Sequence, residues 1–222
     1  MADRRLIVDP PGEPEANMAA DEKIARDVLE QNAPLTLRIY RWSRPAVSLG
    51  RRQNPDDLPA GILHEGIPLV RRPTGGGAVV HSLDELTYAV AVPRRQINPA
   101  LPLHKLPSLL HENLREILVE RGLASFEELA IQRGDSAGPF QLCFSAPVCG
   151  DLLRRGKKAA GSALRVWRGG VLIQGSIQGL PVSAGLLTEA LVAALARSFQ
   201  DREANWCRGG DLNPDELTPT TP

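Results

Sequence analysis

The chain predicts an α+β fold, with a mixed or antiparallel central sheet flanked by helices, and three patterns carry that prediction. Ala20, Ile24 and Val28 recur at four-residue steps, which places them on one helical face. Leu35 to Arg41 alternates apolar and polar residues, the period of a half-buried strand. The order of elements is helix, strands, helix, strands, helix, without the regular alternation of a parallel βαβ fold.

Taken in order, Asn17 reads as the N-cap of a helix over residues 18–31. After the alternating strand, Ala46 to Leu49 forms a short second strand closed by Gly50. Ile67 to Val70 and Ala78 to Val80 are two further short apolar runs. Leu86 to Val92 is almost continuously apolar up to Pro93 and predicts a central strand covered on both faces. Leu110, Leu114, Ile117 and Leu118 form a helical stripe that stops before Gly122. Asp151 to Leu153, Lys158 to Trp167 and Val171 to Ile177 predict consecutive strands, turned at residues 154–156 and 168–170. Leu186 to Phe199 is an Ala/Leu-rich helix.

The length of 222 residues predicts one domain over residues 1–207, followed by a flexible tail over 208–222 that is rich in Pro, Asp, Thr and Gly. Only 4% of residues are aromatic, so the core must be aliphatic. Lys plus Arg equals Asp plus Glu, 26 each, so no global field draws the chain to nucleic acid or to an anionic membrane. The N-terminus lacks the apolar core of a signal peptide, and no run approaches the roughly 20 apolar residues of a membrane span. The three cysteines, Cys143, Cys149 and Cys207, are an odd number, which disfavours a disulfide framework. A cytoplasmic location is the expectation. No histidine pair accompanies the cysteines, so no metal site is predicted.

The run from Arg71 to His81 is the most informative stretch. Arg71 and Arg72 precede Pro73 and Thr74, three consecutive glycines follow at Gly75, Gly76 and Gly77, and His81 closes it. Three glycines between two strands imply positive φ, or a close approach that a side chain would block. A two-residue hairpin turn needs no third glycine and leaves the flanking charges unexplained. A ligand-facing turn is the better reading.

The second unusual run is Gly156 to Ala163, with Lys157 and Lys158 followed only by small residues, among them Gly161, Ser162 and Ala163. Small side chains let a substrate lie along a strand with the lysine amines at the entrance. Strand alternation places Lys158, Ala160 and Ser162 on one face, and Ala159, Gly161 and Ala163 on the other. Cys143 lies in a loop entering this hairpin. A nearby cation favours its thiolate, the nucleophilic form, and Lys158 supplies that cation if the hairpin folds back over the loop.

Together these residues resemble the lipoate-attachment branch of the biotin/lipoate protein ligase superfamily. Residues 71–81 look like its Arg-Arg-x-[Ser/Thr]-Gly-Gly-[Gly/Arg]-Ala-Val-x-His signature, and residues 156–163 are similar to its Gly-[Arg/Lys]-Lys-[Val/Ile]-x-Gly-Ser-Ala signature. Gln174 to Ile177 sits where that family has a His/Gln-Gly-Ser/Thr strand. The likeness runs from about Asn17 to Phe199. It implies a catalytic domain like that of class II aminoacyl-tRNA synthetases.

Glu85 to Tyr88, and Cys143 followed by Phe144, look like the cysteine-using octanoyltransferases of this superfamily. The resemblance then implies transfer of octanoyl from acyl carrier protein, through a Cys143 thioester, to a lysine of a lipoyl domain or a glycine-cleavage H-type protein. It assigns Cys143 and Lys158 to catalysis. Arg71, Arg72, Thr74, Gly75, Gly76, Gly77, His81, Gly161, Ser162 and Ala163 are assigned to substrate binding, with no cofactor required. His81 is expected to be a wall or hydrogen-bonding residue. Departures are Gly77, the residue ligases carry, Ser82 in place of aspartate, and Gln174 where many members have histidine. The alternatives are an ATP-dependent lipoate–protein ligase using ATP and Mg, an amidotransferase between lipoyl domains, and a non-catalytic binder of lipoyl domains.

Overall fold

The protein is described by a computed structural model covering residues 4–59, 61, 62, 66–134 and 146–199, with the backbone of 206–208. An eight-stranded mixed sheet runs in the order β11-β1-β2-β6-β10-β9-β8-β7. Its strands are β1 (Arg4–Val8), β2 (Leu35–Tyr40), β6 (Leu86–Pro93), β7 (Leu129–Ile131), β8 (Leu152–Arg154), β9 (Lys157–Trp167), β10 (Gly170–Ile177) and β11 (Trp206–Arg208). The β1 strand pairs in parallel with both β2 and β11, whereas the remaining neighbours are antiparallel. A separate three-stranded sheet has the order β4-β3-β5, from Leu69–Arg71, Ala46–Leu49 and Val79–His81.

Among the described residues, three α-helices cover the large sheet: α1 (Pro14–Glu30), α2 (Leu106–Glu120) and α3 (Ala184–Ser198). Leu110, Leu114 and Leu118 of α2 and Leu187, Leu191 and Leu195 of α3 join Leu37, Val90 and Ile173 in the main core. Ile24, Ala25 and Val28 of α1 pack with Ala89, Ala91 and Leu172, which alternate with the previous set. Each central strand is therefore covered on both faces, which explains the continuous apolar run of β6.

Two local expectations change. The helix α1 begins at Pro14, whose missing N–H and fixed φ suit the first helical position, so Asn17 is not its cap. Asn17 is buried inside the helix, and its Nδ2 donates to the carbonyls of Gly12 and Arg41, each at 3.1 Å. The β2 strand is buried along its whole length rather than half-buried. Its polar residue Arg38 is accommodated by an ion pair to Asp21 at 2.7 Å, one turn further along α1. The strands β1 and β11 had no clear sequence signal, and Arg208, the first residue of the expected tail, belongs to β11.

Candidate active site

The glycine turn is a bracketed loop. Its flanking strands β4 and β5 do not pair with each other; both pair with β3, one on each side. Residues 72–78 must therefore cross over the end of β3, which a tight hairpin does not do. Arg72 holds the crossing in shape. Its Nε and Nη2 donate to the Gly75 carbonyl at 3.1 and 2.6 Å, and Nη2 also reaches the Gly77 carbonyl at 2.6 Å. Nη1 donates to the Ser48 carbonyl at 3.0 Å and to Ser48 Oγ at 3.2 Å. Of the three glycines, only Gly76 has positive φ, at +85°. Gly50 packs so closely beneath the turn that a Cβ there would lie 2.0 Å from the Gly76 carbonyl oxygen.

Thr74 is buried behind the turn, with Oγ1 donating to Gln174 Oε1 at 2.7 Å. Gln174 Nε2 in turn donates to Asp21 Oδ2 at 2.6 Å, and Tyr40 OH donates to the same oxygen at 2.8 Å. Burial pushes the Asp21 carboxyl up from its ordinary value, with Arg38 opposing that shift. This chain of bonds links the glycine turn to β10, α1 and β2. Arg71 lies on the other side of the turn, where Nη1 donates to the carbonyls of Gly50, Arg51 and Gln53. It supports a loop and does not line the cavity.

His81 has both ring nitrogens engaged. Nδ1 is 2.6 Å from Glu85 Oε1, and Nε2 is 2.7 Å from Ser48 Oγ. Its ring stacks on Trp42 with centroids 3.9 Å apart. Glu85 also accepts from Ser176 Oγ at 3.0 Å and Thr87 Oγ1 at 2.8 Å, and Trp42 Nε1 donates to Thr87 Oγ1 at 2.8 Å. With these partners held on both sides of its ring, His81 shapes a wall of the cavity.

Across from the turn stands β9, where one expectation fails for a clear reason. Strand alternation puts Lys158 with Ala160 and Ser162. However, the β8–β9 register shifts, pairing Leu152 with Ala160 and Leu153 with Lys158, so Ala159 is an extra, bulged residue. The bulge reverses the parity. Lys158 therefore shares its face with Gly161: a Cβ on that glycine would lie 2.3 Å from Lys158 Cε. Ala160 faces the core instead, and Ser162 Oγ lies 3.3 Å from His111 Nε2. Ala163 approaches the glycine turn, its Cβ 3.7 Å from the position a Cβ on Gly76 would occupy. Lys157 is exposed.

The two motifs thus form facing walls of one cavity of about 800 Å³. Trp42, Gly76, Val79, His81, Lys158 and Ala163 are among its lining residues. At its floor Lys158 Nζ pairs with Asp151 Oδ2 at 2.7 Å, both side chains being buried. Asp151 Oδ2 also accepts the Val148 N–H at 2.7 Å, which ties residues 146–148 to the lysine. Beneath this pair His111 Nδ1 lies 2.7 Å from the Gly150 carbonyl, and Nε2 lies 3.1 Å from Tyr88 OH. Burial lowers the His111 pKa and raises that of Tyr88, so the imidazole is neutral, donating to the carbonyl and accepting from the phenol.

Asp151 and His111 were not anticipated as site residues. The only signal for Asp151 is its place just before a strand that hairpins onto Lys158, and His111 has none outside its helix. Cys143 lies outside the described residues, as does the Cys207 side chain; Cys149 is exposed.

Comparison with known proteins agrees with this architecture. A sequence model of the lipoyl protein ligase A/B catalytic domain matches residues 13–202. Octanoyltransferase LipM of Exiguobacterium sp. is 41% identical over 176 residues, 74% of this chain and 61% of the relative. Octanoyltransferase LipM of Moorella thermoacetica is 37% identical over 183 residues, 78% of this chain and 64% of the relative. The chain spans less than two thirds of the length of these curated relatives. Among solved structures, protein Ta0514 from T. acidophilum with bound lipoic acid superposes with a TM-score of 0.71 at 20% identity, over 96% of this chain and 91% of that one. A bi-partite lipoate protein ligase from Thermoplasma acidophilum superposes with a TM-score of 0.62 at 18% identity, over 97% and 90%. The matched span takes in both facing motifs and all three helices, and on that basis the chain belongs to the lipoyl protein ligase A/B catalytic-domain family.

Proposed function

We propose that this domain is an octanoyltransferase of lipoate biosynthesis, carrying octanoyl from acyl carrier protein through a Cys143 thioester to a lysine of a lipoyl domain or H-type protein. The observation that carries this reading is the buried Lys158–Asp151 pair on the floor of a cavity walled by glycines and small residues. Such a cavity suits a flexible apolar chain, and the lysine lies where its carbonyl end would stop. The names of the relatives, octanoyltransferases above 30% identity, support the same chemistry. Ala146 and Val148 line the cavity, so the chain reaches its wall three residues beyond Cys143.

The steps follow from the chemistry of thioesters. The Cys143 thiolate attacks the octanoyl carbonyl carbon, a new C–S bond forms, and the bond to the carrier sulfur breaks. The carrier leaves as a thiolate and takes up a proton. The acceptor amine then attacks the acyl-enzyme, its excess proton is lost, and the amide forms as the Cys143 thiolate is released. Both tetrahedral intermediates place negative charge on the former carbonyl oxygen, for which Lys158 and the amides of residues 75–77 are the candidate donors. Gly77 favours a second reading, an ATP-dependent ligase, because ligases carry glycine there. The two are separated by incubating enzyme, octanoyl-acyl carrier protein and a lipoyl domain without nucleotide. Octanoylation of the lipoyl domain supports the transferase; product only with octanoate, ATP and Mg overturns it.

A further inference from the structure

The rim of the cavity carries charge that acyl transfer alone does not use. Arg51, Arg52 and Arg165 all line it, and an octanoyl chain offers a guanidinium nothing to bind. Among the described residues, no carboxylate forms an ion pair with any of the three. Glu22, the carboxylate that acts on Arg165, is already paired with Arg26 at 2.9 Å.

The backbone that carries Arg51 and Arg52 and the side chain of Arg165 are both tied to the glycine turn. The Arg51 N–H donates to the Thr74 carbonyl at 2.8 Å, tying the loop to the glycine turn. Arg71 adds hydrogen bonds to the carbonyls of Gly50, Arg51 and Gln53, and Gly50 is packed against the Gly76 carbonyl. On the other side Arg165 lies over the Trp167 ring at 3.8 Å and donates to the Pro73 carbonyl at 3.3 Å. Partial burial and the like charge of Arg51 both lower the Arg165 pKa, in that order. Like charges that act on one another across a cavity rim are relieved by an anion between them.

We infer that Arg51, Arg52 and Arg165 form a subsite for a phosphate group carried on the acyl donor. The inference rests on the transferase reading, under which that phosphate is the phosphodiester of the pantetheine-type carrier arm. An arm entering past the rim puts its anion among the arginines and its acyl end toward Lys158.

Binding of two non-transferable thioether analogues tests this by titration calorimetry, one of octanoyl-pantetheine and one of octanoyl-4′-phosphopantetheine. The phosphorylated analogue is expected to bind wild type about tenfold tighter at low salt, the size of a charge-assisted contact, with the advantage shrinking as salt rises. In the Arg51→Ala/Arg52→Ala double variant the two analogues should bind alike. Both positions are exposed, so the fold is not at stake, and Arg165→Gln should reduce the advantage independently. Equal affinities in wild type, or an undiminished advantage in the double variant, overturn the subsite. ATP competing through the same arginines while the phosphopantetheine analogue gains nothing overturns it too, by assigning the cations to a nucleotide. Intact mass after incubation with octanoyl-4′-phosphopantetheine reads the transferase reaction separately. No octanoyl adduct alongside an intact phosphate advantage would count against the transferase reading and not against the anion site.

Discussion

The Lys158 ammonium lies 2.7 Å from Asp151 Oδ2, with the two side chains only 1% and 4% exposed. Breaking such a pair leaves one charge buried without compensation, which costs about 3–5 kcal/mol. Lys158→Ala should therefore lower the melting temperature and cut octanoyl transfer by about 100-fold or more, the loss expected when an oxyanion donor is removed. Lys157→Ala, at an exposed position, should change stability by no more than about 0.5 kcal/mol and leave transfer near wild type. Melting curves and transfer rates on both variants check this. Equal, mild effects would return the lysine pair to a solvated turn.

Gly161→Ala tests the same floor from its neighbour. The added methyl would stand 2.3 Å from Lys158 Cε and 3.2 Å from Asp151 Oδ1, so the lysine must move. Transfer should fall by at least about tenfold, since an ångström-scale displacement of a positioned group costs up to about 100-fold. Unchanged kcat/KM would show that the amine tolerates displacement and does not act on the acyl group.

The glycine turn makes a paired prediction. Gly76 has φ +85°, and a Cβ there would meet Arg72 Nη2 at 3.0 Å while pointing toward Ala163. Gly122, which follows α2 with φ +69°, faces open space. Valine is strained at both, because β-branched residues avoid positive φ. Only at Gly76 should it also close the cavity. Gly122→Val should lower the melting temperature with transfer by the folded fraction intact; Gly76→Val should lose transfer beyond its stability loss. Full transfer by Gly76→Val would end the ligand-facing reading of the turn.

His111 gives a pH dependence with a defined sign. Burial holds its folded pKa below the ordinary 6.5. Between the two values the unfolded chain binds more protons, so stability rises with pH there and is lost as pH falls from about 6.5 through the folded value. In His111→Gln that contribution is absent. The melting-temperature gap between wild type and variant should narrow as pH is lowered from 7 to 5. A constant gap would mean the imidazole is not kept neutral.

Much of this arrangement was legible in the chain. The period of α1, the apolar run of β6 and the paired strands β9 and β10 are local patterns, and they sit where the pattern places them. The two glycine-containing motifs pointed to a common site because each needs an environment that small residues alone permit. What escaped depends on partners distant in sequence. Asn17 looks like a cap until Pro14 starts the helix and Arg41 supplies an acceptor for its side chain. The bulge at Ala159, which turns Lys158 toward Gly161, is set by the register with β8, and no residue in the run signals it. Asp151 gains its role only once that register is formed. Short strands such as β1 and β11 take their identity from their neighbours, β1 from β2 and β11, and β11 from β1.

The most direct test of the central claim is intact mass of the protein after incubation with octanoyl-acyl carrier protein in the absence of ATP, compared across wild type, Cys143→Ser and Cys207→Ser. A serine hydroxyl is a far weaker nucleophile than a thiolate. Wild type and Cys207→Ser should each gain one octanoyl group, discharged on adding a lipoyl domain, and Cys143→Ser should gain none. An adduct of equal extent on Cys143→Ser, or no adduct on any of the three, would contradict covalent transfer through Cys143.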